Sequence, residues 1–301
     1  MFVMGPASEG GATPGAHPAR DGRDRCDGIA QLADLLHGRR VLALTGAGIS
    51  TESGIPDYRS PESQARARPP ITYQAFTQSP TVRQRYWARS VVGWPSMRSR
   101  APNAGHGAVA RLEAAGRLSA LITQNVDGLH HAAGSQNVVE LHGALREVRC
   151  LGCGVRSPRE VLQERLLALN AAFDEVAVMA PDGDAELAPE QIDGFRIADC
   201  EGCGGLLKPD VVFFGENVPP PRVDQTWRML DAAEILLVLG SSLTVRSGYR
   251  LIEAAIQQRK PVAIVNDGET RADPVATVRV SGRLGAVLST LEAHLSARHP
   301  S

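Results

Sequence analysis

Two Cys-x-x-Cys pairs, Cys150 with Cys153 and Cys200 with Cys203, constrain this 301-residue chain more than any other feature. Each pair presents two sulfurs from one tight turn, and two such turns can close a tetrahedral zinc shell. Glycines at 152, 154, 202, 204 and 205 supply the turns that a zinc ribbon needs. Four thiolates leave no open coordination position, so a single zinc here would hold structure and activate no water. Two redox disulfides, or unrelated core cysteines, are the alternatives. If the four sulfurs hold a structural metal, the catalytic groups lie elsewhere. Cys26, the fifth cysteine, has no obvious partner. A reducing compartment, the cytoplasm, suits this set better than a secreted disulfide scaffold.

Composition removes several function classes. The chain is 43% hydrophobic and 22% charged with a net charge of −1, so no sequence-wide basic field argues for nucleic acid. It lacks an uninterrupted apolar run of about 18 residues, which argues against a spanning helix and a membrane partner. Residues 1–26 are expected to be a disordered tail without the apolar stretch of a signal peptide. Only if residues 1–25 were a transit peptide would the mitochondrial matrix be the destination, and Glu9, Asp21 and Asp24 count against that.

Short apolar runs leading into Gly, Ser, Asn or Asp recur at Val41–Thr45, 120–124, 138–141, 211–214, Ile235–Leu239 and Val262–Val265. They read as buried parallel strands. Helical patterns lie between several of them, and Leu284, Val287, Leu288, Leu291 and Leu295 are spaced for one face of a closing helix. Strands alternating with helices predict an α/β fold, a Rossmann-like doubly wound parallel sheet. Two stretches break this rhythm. The predicted organisation is a Rossmann-like domain from 27–59, 101–143 and 210–298, with a smaller zinc-ribbon and helical module from 60–100 and 144–209.

Gly46-Ala47-Gly48-Ile49-Ser50 follows the first apolar run and precedes a plausible helix start. Glycines there let backbone N–H groups approach a pyrophosphate, although a plain strand–turn–helix has the same pattern. Gly240-Ser241-Ser242 and Asn266-Asp267-Gly268 end two further runs, where ligands of open α/β sheets bind. Gln124-Asn125-Val126-Asp127 ends another; its Asn and Asp could instead cap a helix. His142 stands at a strand end beside a glycine. An ordinary pKa of about 6.5 suits proton abstraction near neutrality, while a structural role is the commoner one for a single histidine. His130 and His131 read as surface or packing residues.

These segments, with Gly54-Ile55-Pro56-Asp57-Tyr58-Arg59, Glu140-Leu141-His142-Gly143, both cysteine pairs and Lys208-Pro209-Asp210-Val211-Val212-Phe213-Phe214-Gly215, resemble the sirtuins in order and spacing. The resemblance covers about 28–296 and is strongest to class II members. It implies an NAD-dependent protein-lysine deacylase that releases nicotinamide and O-acyl-ADP-ribose, with NAD as co-substrate and acylated-lysine proteins as partners. The resemblance makes His142 the base that takes a ribose hydroxyl proton, and gives Asn125 and Asp127 to the nicotinamide pocket. Ser50, Asp57, Tyr58 (phenylalanine in many members) and Arg59 match the phosphate and flexible-loop positions. Gly46, Ala47, Gly48, Gln124, Gly240, Ser241, Ser242, Asn266, Asp267 and Leu284 complete the expected cofactor set. Val211 to Gly215 match the edge that pairs with substrate backbone. Mono-ADP-ribosyl transfer from the same NAD site is the alternative, and a non-catalytic NAD sensor is a third reading that His142, Asn125 and Asp127 together oppose.

Residues 59–100 hold eight arginines and one acid, Glu62. Within them Tyr86 and Arg89 have the Tyr-x-x-Arg spacing with which some sirtuins grip an acyl carboxylate, a task that suits the guanidinium fork. A solvated basic helix face is the plainer reading. The acidic stretch 170–196 is either a loop or a cover over the cleft. The oligomeric state is not set by these features, and a monomer suffices.

Overall fold

The computed structural model describes residues 22–57, 69–173 and 187–297. The chain begins with α1 (Gly22–Leu36), β1 (Val41–Thr45), α2 (Tyr73–Gln78), α3 (Pro80–Arg98) and α4 (Ala104–Ala114). It continues with β2 (Ala120–Thr123), α5 (Leu129–Ala132), β3 (Val138–Glu140), β4 (Gly143–Cys150), β5 (Arg156–Pro158), α6 (Arg159–Leu169) and α7 (Pro189–Ile192). The remaining elements are β6 (Leu207–Val211), α8 (Pro220–Ala232), β7 (Ile235–Leu239), α9 (Arg246–Gln257), β8 (Val262–Val265), β9 (Val278–Val280) and α10 (Leu284–Ser296).

Six strands form one parallel sheet in the order β3-β2-β1-β7-β8-β9. The apolar runs behave as their composition predicts, because both faces are covered. Val41 and Ala43 of β1 pack with α1, α4 and α10, while Leu42 and Leu44 face the opposite way, towards α8 and α9. This period-two alternation with apolar residues on both sides is what a doubly wound sheet requires. The strand order reverses between β1 and β7, and such a switch point opens a crevice at the carboxyl ends of the strands.

The segment 211–214 departs from expectation. It reads as a parallel strand, but only Val211 is in a strand, and that strand, β6, pairs antiparallel with β4 in a separate β5-β4-β6 sheet. Phe214 makes a single bridge to Thr72. Its apolar run serves a second core, where Phe213 packs with Phe76, Tyr86, Trp87, Val148 and Leu166. In the same region the Arg159 guanidinium lies between the rings of Trp87 and Trp94, at 5.4 and 5.3 Å. The short strand β9 has no counterpart among the expected strands. Helix α1 begins at Gly22, inside the stretch 1–26 expected to be disordered.

The two cysteine turns mirror each other. Gly154 N–H donates to the Cys150 carbonyl at 3.0 Å, and Gly204 N–H donates to the Cys200 carbonyl at 2.7 Å. Gly154 and Gly204 both have left-handed φ, +75° and +69°. The sulfurs of Cys150 and Cys203 are 3.5 Å apart and those of Cys153 and Cys200 3.8 Å apart, and all four lie within 4.8 Å of one another. A tetrahedron with zinc–sulfur bonds of about 2.3 Å has sulfurs about 3.8 Å apart, so the four fit one zinc. Backbone N–H groups of Gly152 and Cys153 point at the Cys150 sulfur at 3.3 and 3.4 Å, donors that favour the thiolate a metal needs. Purified protein is therefore expected to carry about one zinc per chain, and Cys203→Ala or exhaustive chelation should lower thermal stability, because metal affinity here is folding free energy. An unchanged melting curve after complete zinc removal would contradict this.

Candidate active site

The loops after β1 and β7 meet at the switch point. Gly46 N–H donates to the Leu239 carbonyl at 3.1 Å, and Gly48 N–H to the Gly240 carbonyl at 2.8 Å. Gly240 has φ +61°, and a Cβ there would lie 2.5 Å from the Ile49 nitrogen and 2.6 Å from Leu284 Cδ1. Only glycine permits this approach. The helix expected after Gly46 is instead two short 3-10 turns, Ala47–Ile49 and Thr51–Ser53. Gly54, left-handed at φ +76°, ends the second, and Pro56 follows without an N–H to extend it. Among the described residues up to Asp57, no α-helix begins at this loop.

A polar group occupies the crevice above β1 and β2. Ser50 Oγ donates to Asp127 Oδ2 at 2.7 Å and accepts from Asn125 Nδ2 at 3.0 Å, while Asn125 also donates to the Gly46 carbonyl at 3.1 Å. Asp127 Oδ1 accepts from Leu129 N–H at 2.9 Å, a turn contact one residue ahead of the N-cap, Gly128, which itself has no side-chain cap. Gln124 Nε2 donates to Ser241 Oγ at 2.9 Å, tying the β2 loop to the β7 loop. Beneath them, His130 is buried as a packing residue, with Nε2 3.0 Å from Thr45 Oγ1 and its ring 4.8 Å from that of His106. Burial first, then the neighbouring His106 and His131, push the His130 pKa down to about 3. His131 lies near the surface.

His142 is buried, and both of its ring nitrogens have partners. Nδ1 is 2.9 Å from the Gln124 carbonyl, and Nε2 is 2.7 Å from Ser247 Oγ, in the first turn of α9. A carbonyl only accepts, so Nδ1 carries the hydrogen and Nε2 presents the lone pair. Burial pushes the pKa of His142 down to about 4; the Gln124 carbonyl works against this and the positive charge of Arg222 adds to it. The imidazole is thus neutral near pH 7, the form in which a general base operates.

The other expected residues divide by location. Leu284 is buried against Gly240, and Ser242 Oγ is 3.1 Å from Thr244 Oγ1. Asn266 donates to the Gly268 carbonyl at 2.8 Å, and Asp267 is exposed at the same β8 end. Ala47 and Asp57 are half-buried, whereas Tyr58 and Arg59 lie outside the described residues. Val212 N–H donates to the His142 carbonyl at 2.8 Å, which brings the 211–215 segment against the candidate base. Tyr86 and Arg89 are buried at 7% and 6% exposure, and the Tyr86 ring is 5.5 Å from that of Phe213. A solvated face does not describe these two positions, although Arg85 and Arg98 on the same helix are exposed. Reading the sequence missed His106, Ser247 and Arg222. Asn103-Ala-Gly-His106 carries a signal for His106, since an Asn with a partner three residues on marks a helix start. Nothing local marks Ser247.

Comparison with known proteins agrees with this geometry. The Sir2 family matches residues 46–247. NAD-dependent protein deacetylase 1 of Streptomyces coelicolor is 54% identical over 271 residues, 90% of this chain and 91% of that protein. The human NAD-dependent protein lipoamidase sirtuin-4, mitochondrial, is 49% identical over 258 residues, 84% of this chain and 82% of that protein. A solved Sir2 structure with a peptide and NAD+ superposes with a TM-score of 0.70 at 29% identity, over 89% of this chain and 98% of that one. With its sheet order, its four-cysteine cluster and these matches, the chain belongs to the Sir2 family.

Proposed function

We propose that this chain is an NAD-dependent protein-lysine deacylase in which His142 is the general base. One observation carries the assignment of the base: a buried, neutral imidazole at the junction of two sheets, with Nδ1 held by the carbonyl of Gln124, the residue before Asn125, and Nε2 presenting its lone pair. NAD, when bound, supplies the ribosyl group that receives the acyl chain. The loops at Gly46–Ser50, Gly240–Ser242 and Asn266–Asp267, with Leu284, hold the dinucleotide. Asn125 and Asp127 orient the nicotinamide amide, one as donor and the other as acceptor. His142 takes the ribose hydroxyl proton at Nε2, and Nδ1–H stays on the Gln124 carbonyl and steadies the resulting imidazolium. Backbone groups in the segment Val211 to Gly215 pair with the acylated peptide as an added strand. The location is a reducing compartment, the cytoplasm, on the strength of the four metal-site thiols.

Incubation with NAD and acyl-lysine peptides tests this directly. His142→Ala is expected to lower deacylation by roughly 10²-fold or more, the usual cost of a lost general base, with NAD binding retained. Near-normal turnover in a folded His142→Ala protein would remove His142 from the mechanism. Transfer of ADP-ribose to protein with no lysine release would indicate the transferase chemistry instead.

Acyl choice is assigned to Tyr86 and Arg89, one turn apart on α3 and both buried, with the Tyr86 ring 5.5 Å from that of Phe213. A guanidinium there can bind an acyl carboxylate with both oxygens, which favours glutaryl or hydroxymethylglutaryl over acetyl. A charged hydrogen bond worth about 1.5–3 kcal/mol gives roughly 10- to 100-fold selectivity. Arg89→Met should abolish most of that preference and affect acetyl peptides less. Equal losses on glutaryl and acetyl peptides would assign Arg89 to the fold.

A further inference from the structure

The atom of His142 that must accept a proton is already engaged. Nε2 lies 2.7 Å from Ser247 Oγ, the shorter of the two contacts made by the ring. Because Nδ1 carries the hydrogen, Ser247 must be the donor: its O–H points at the Nε2 lone pair. Ser247 is fully buried, and α9 holds its backbone, so the hydroxyl is placed by the fold and not by solvent. Its neighbour Gly248 admits Gln124 so closely that a Cβ there would meet Gln124 Oε1 at 2.4 Å, which packs α9 against the residue whose carbonyl holds Nδ1.

We infer that Ser247 is a positioning residue that restrains the base of this enzyme, holding His142 neutral and its proton-accepting nitrogen occupied until substrate displaces the hydroxyl. The inference rests on the proposal that His142 is that base. Two consequences follow from a hydroxyl donating to Nε2. It favours the neutral ring, which makes His142 a weaker base. It also has to leave Nε2 before a ribose hydroxyl can donate there, which opposes the proton transfer. The charged group bearing on the ring is Arg222, from the first turn of α8, and it is itself paired with Asp210 of β6 at 3.1 Å. From the loop after β2 the ring meets the Gln124 carbonyl. Ser247 is therefore the one partner of the ring that can be removed without uncovering a charge.

The experiment is a pH profile of acetyl-peptide deacylation with saturating NAD for wild type, Ser247→Ala, Ser247→Thr and His142→Ala. Loss of one neutral hydrogen bond is expected to move the acid limb of Ser247→Ala upward by about 0.5–1 pH unit. At pH 8 the same variant should turn over faster than wild type, by about 2- to 10-fold, because its base is stronger and unobstructed. The two profiles should cross, and Ser247→Thr, which keeps the hydroxyl, should follow wild type. Slower turnover of Ser247→Ala at every pH, or profiles that coincide, would overturn the inference while an inactive His142→Ala kept the base assignment intact. An active His142→Ala would instead overturn the assignment and this inference with it. A measurement on the unmodified protein guards against misfolded variants: nitrogen chemical shifts should show His142 protonated at Nδ1 and accepting at Nε2, and the opposite tautomer would refute the restraint.

Discussion

The hydrogen bond from Val212 N–H to the His142 carbonyl, at 2.8 Å, fastens the second sheet to the backbone of the candidate base. His142 is the residue at which the chain leaves the parallel sheet for the antiparallel one. Gly143, next in line, has φ +85°, and a Cβ on it would fall 1.8 Å from the Asp210 carbonyl oxygen. The strand β6 can thus run directly over the backbone of the candidate base. One end of the β4–β6 pairing is Gly143 opposite Val211, and the other is Cys150 opposite Leu207. The cysteine turn and His142 thus flank the two ends of the β4–β6 pairing, whose register shifts between Gly143 and Val148.

Much of the parallel sheet is legible in the sequence because its strands are buried on both faces and read as unbroken apolar runs. The same simplicity explains the misplacement of 211–214. An apolar run records burial but not partner, and Phe213 is buried among aromatic residues of the second core rather than between sheet helices. The strand β9 escapes notice because Arg279 interrupts Val278 and Val280, leaving too little pattern in three residues. The glycine loop was legible as a tight turn, but what followed it depended on Gly54 and Pro56, which halt the chain before a helix can propagate.

The site was legible where its residues form local motifs and illegible where they are assembled by tertiary structure. Gly46 to Ser50, Asn125 to Asp127 and His142 each stand at a strand end among small or polar residues. Ser247 is 105 positions from His142, within an amphipathic helix that explains it adequately as a buried small residue. His106 is similar. It closes a capping box with Asn103, a sufficient local role, yet its Nε2 also lies 3.5 Å from Ser50 Oγ. Burial lowers its pKa, with Asp127 and then Glu52 opposing the shift. His106, His130 and His142 are thus all shifted towards the neutral form by burial, so the positive charges near the crevice come from arginines that cannot switch off.

Those arginines show why charge counts alone misjudge a helix. Along α3 the sequence presents a repeated basic side chain, and each one meets a different physical demand. Arg83 donates to the carbonyls of Phe76 and Thr77 at 3.0 Å, closing the end of α2. Arg98 pairs with Glu160 at 3.1 Å near the surface, where such a bond adds little. Arg85 is solvated. Arg89 is buried beside Tyr86, and a guanidinium taken out of water must be matched by hydrogen-bonding partners if the fold is to tolerate it. Arg159 meets the same demand structurally: buried at 2% exposure, its guanidinium lies near the rings of Trp87 and Trp94 and donates to Ser90 Oγ at 3.2 Å.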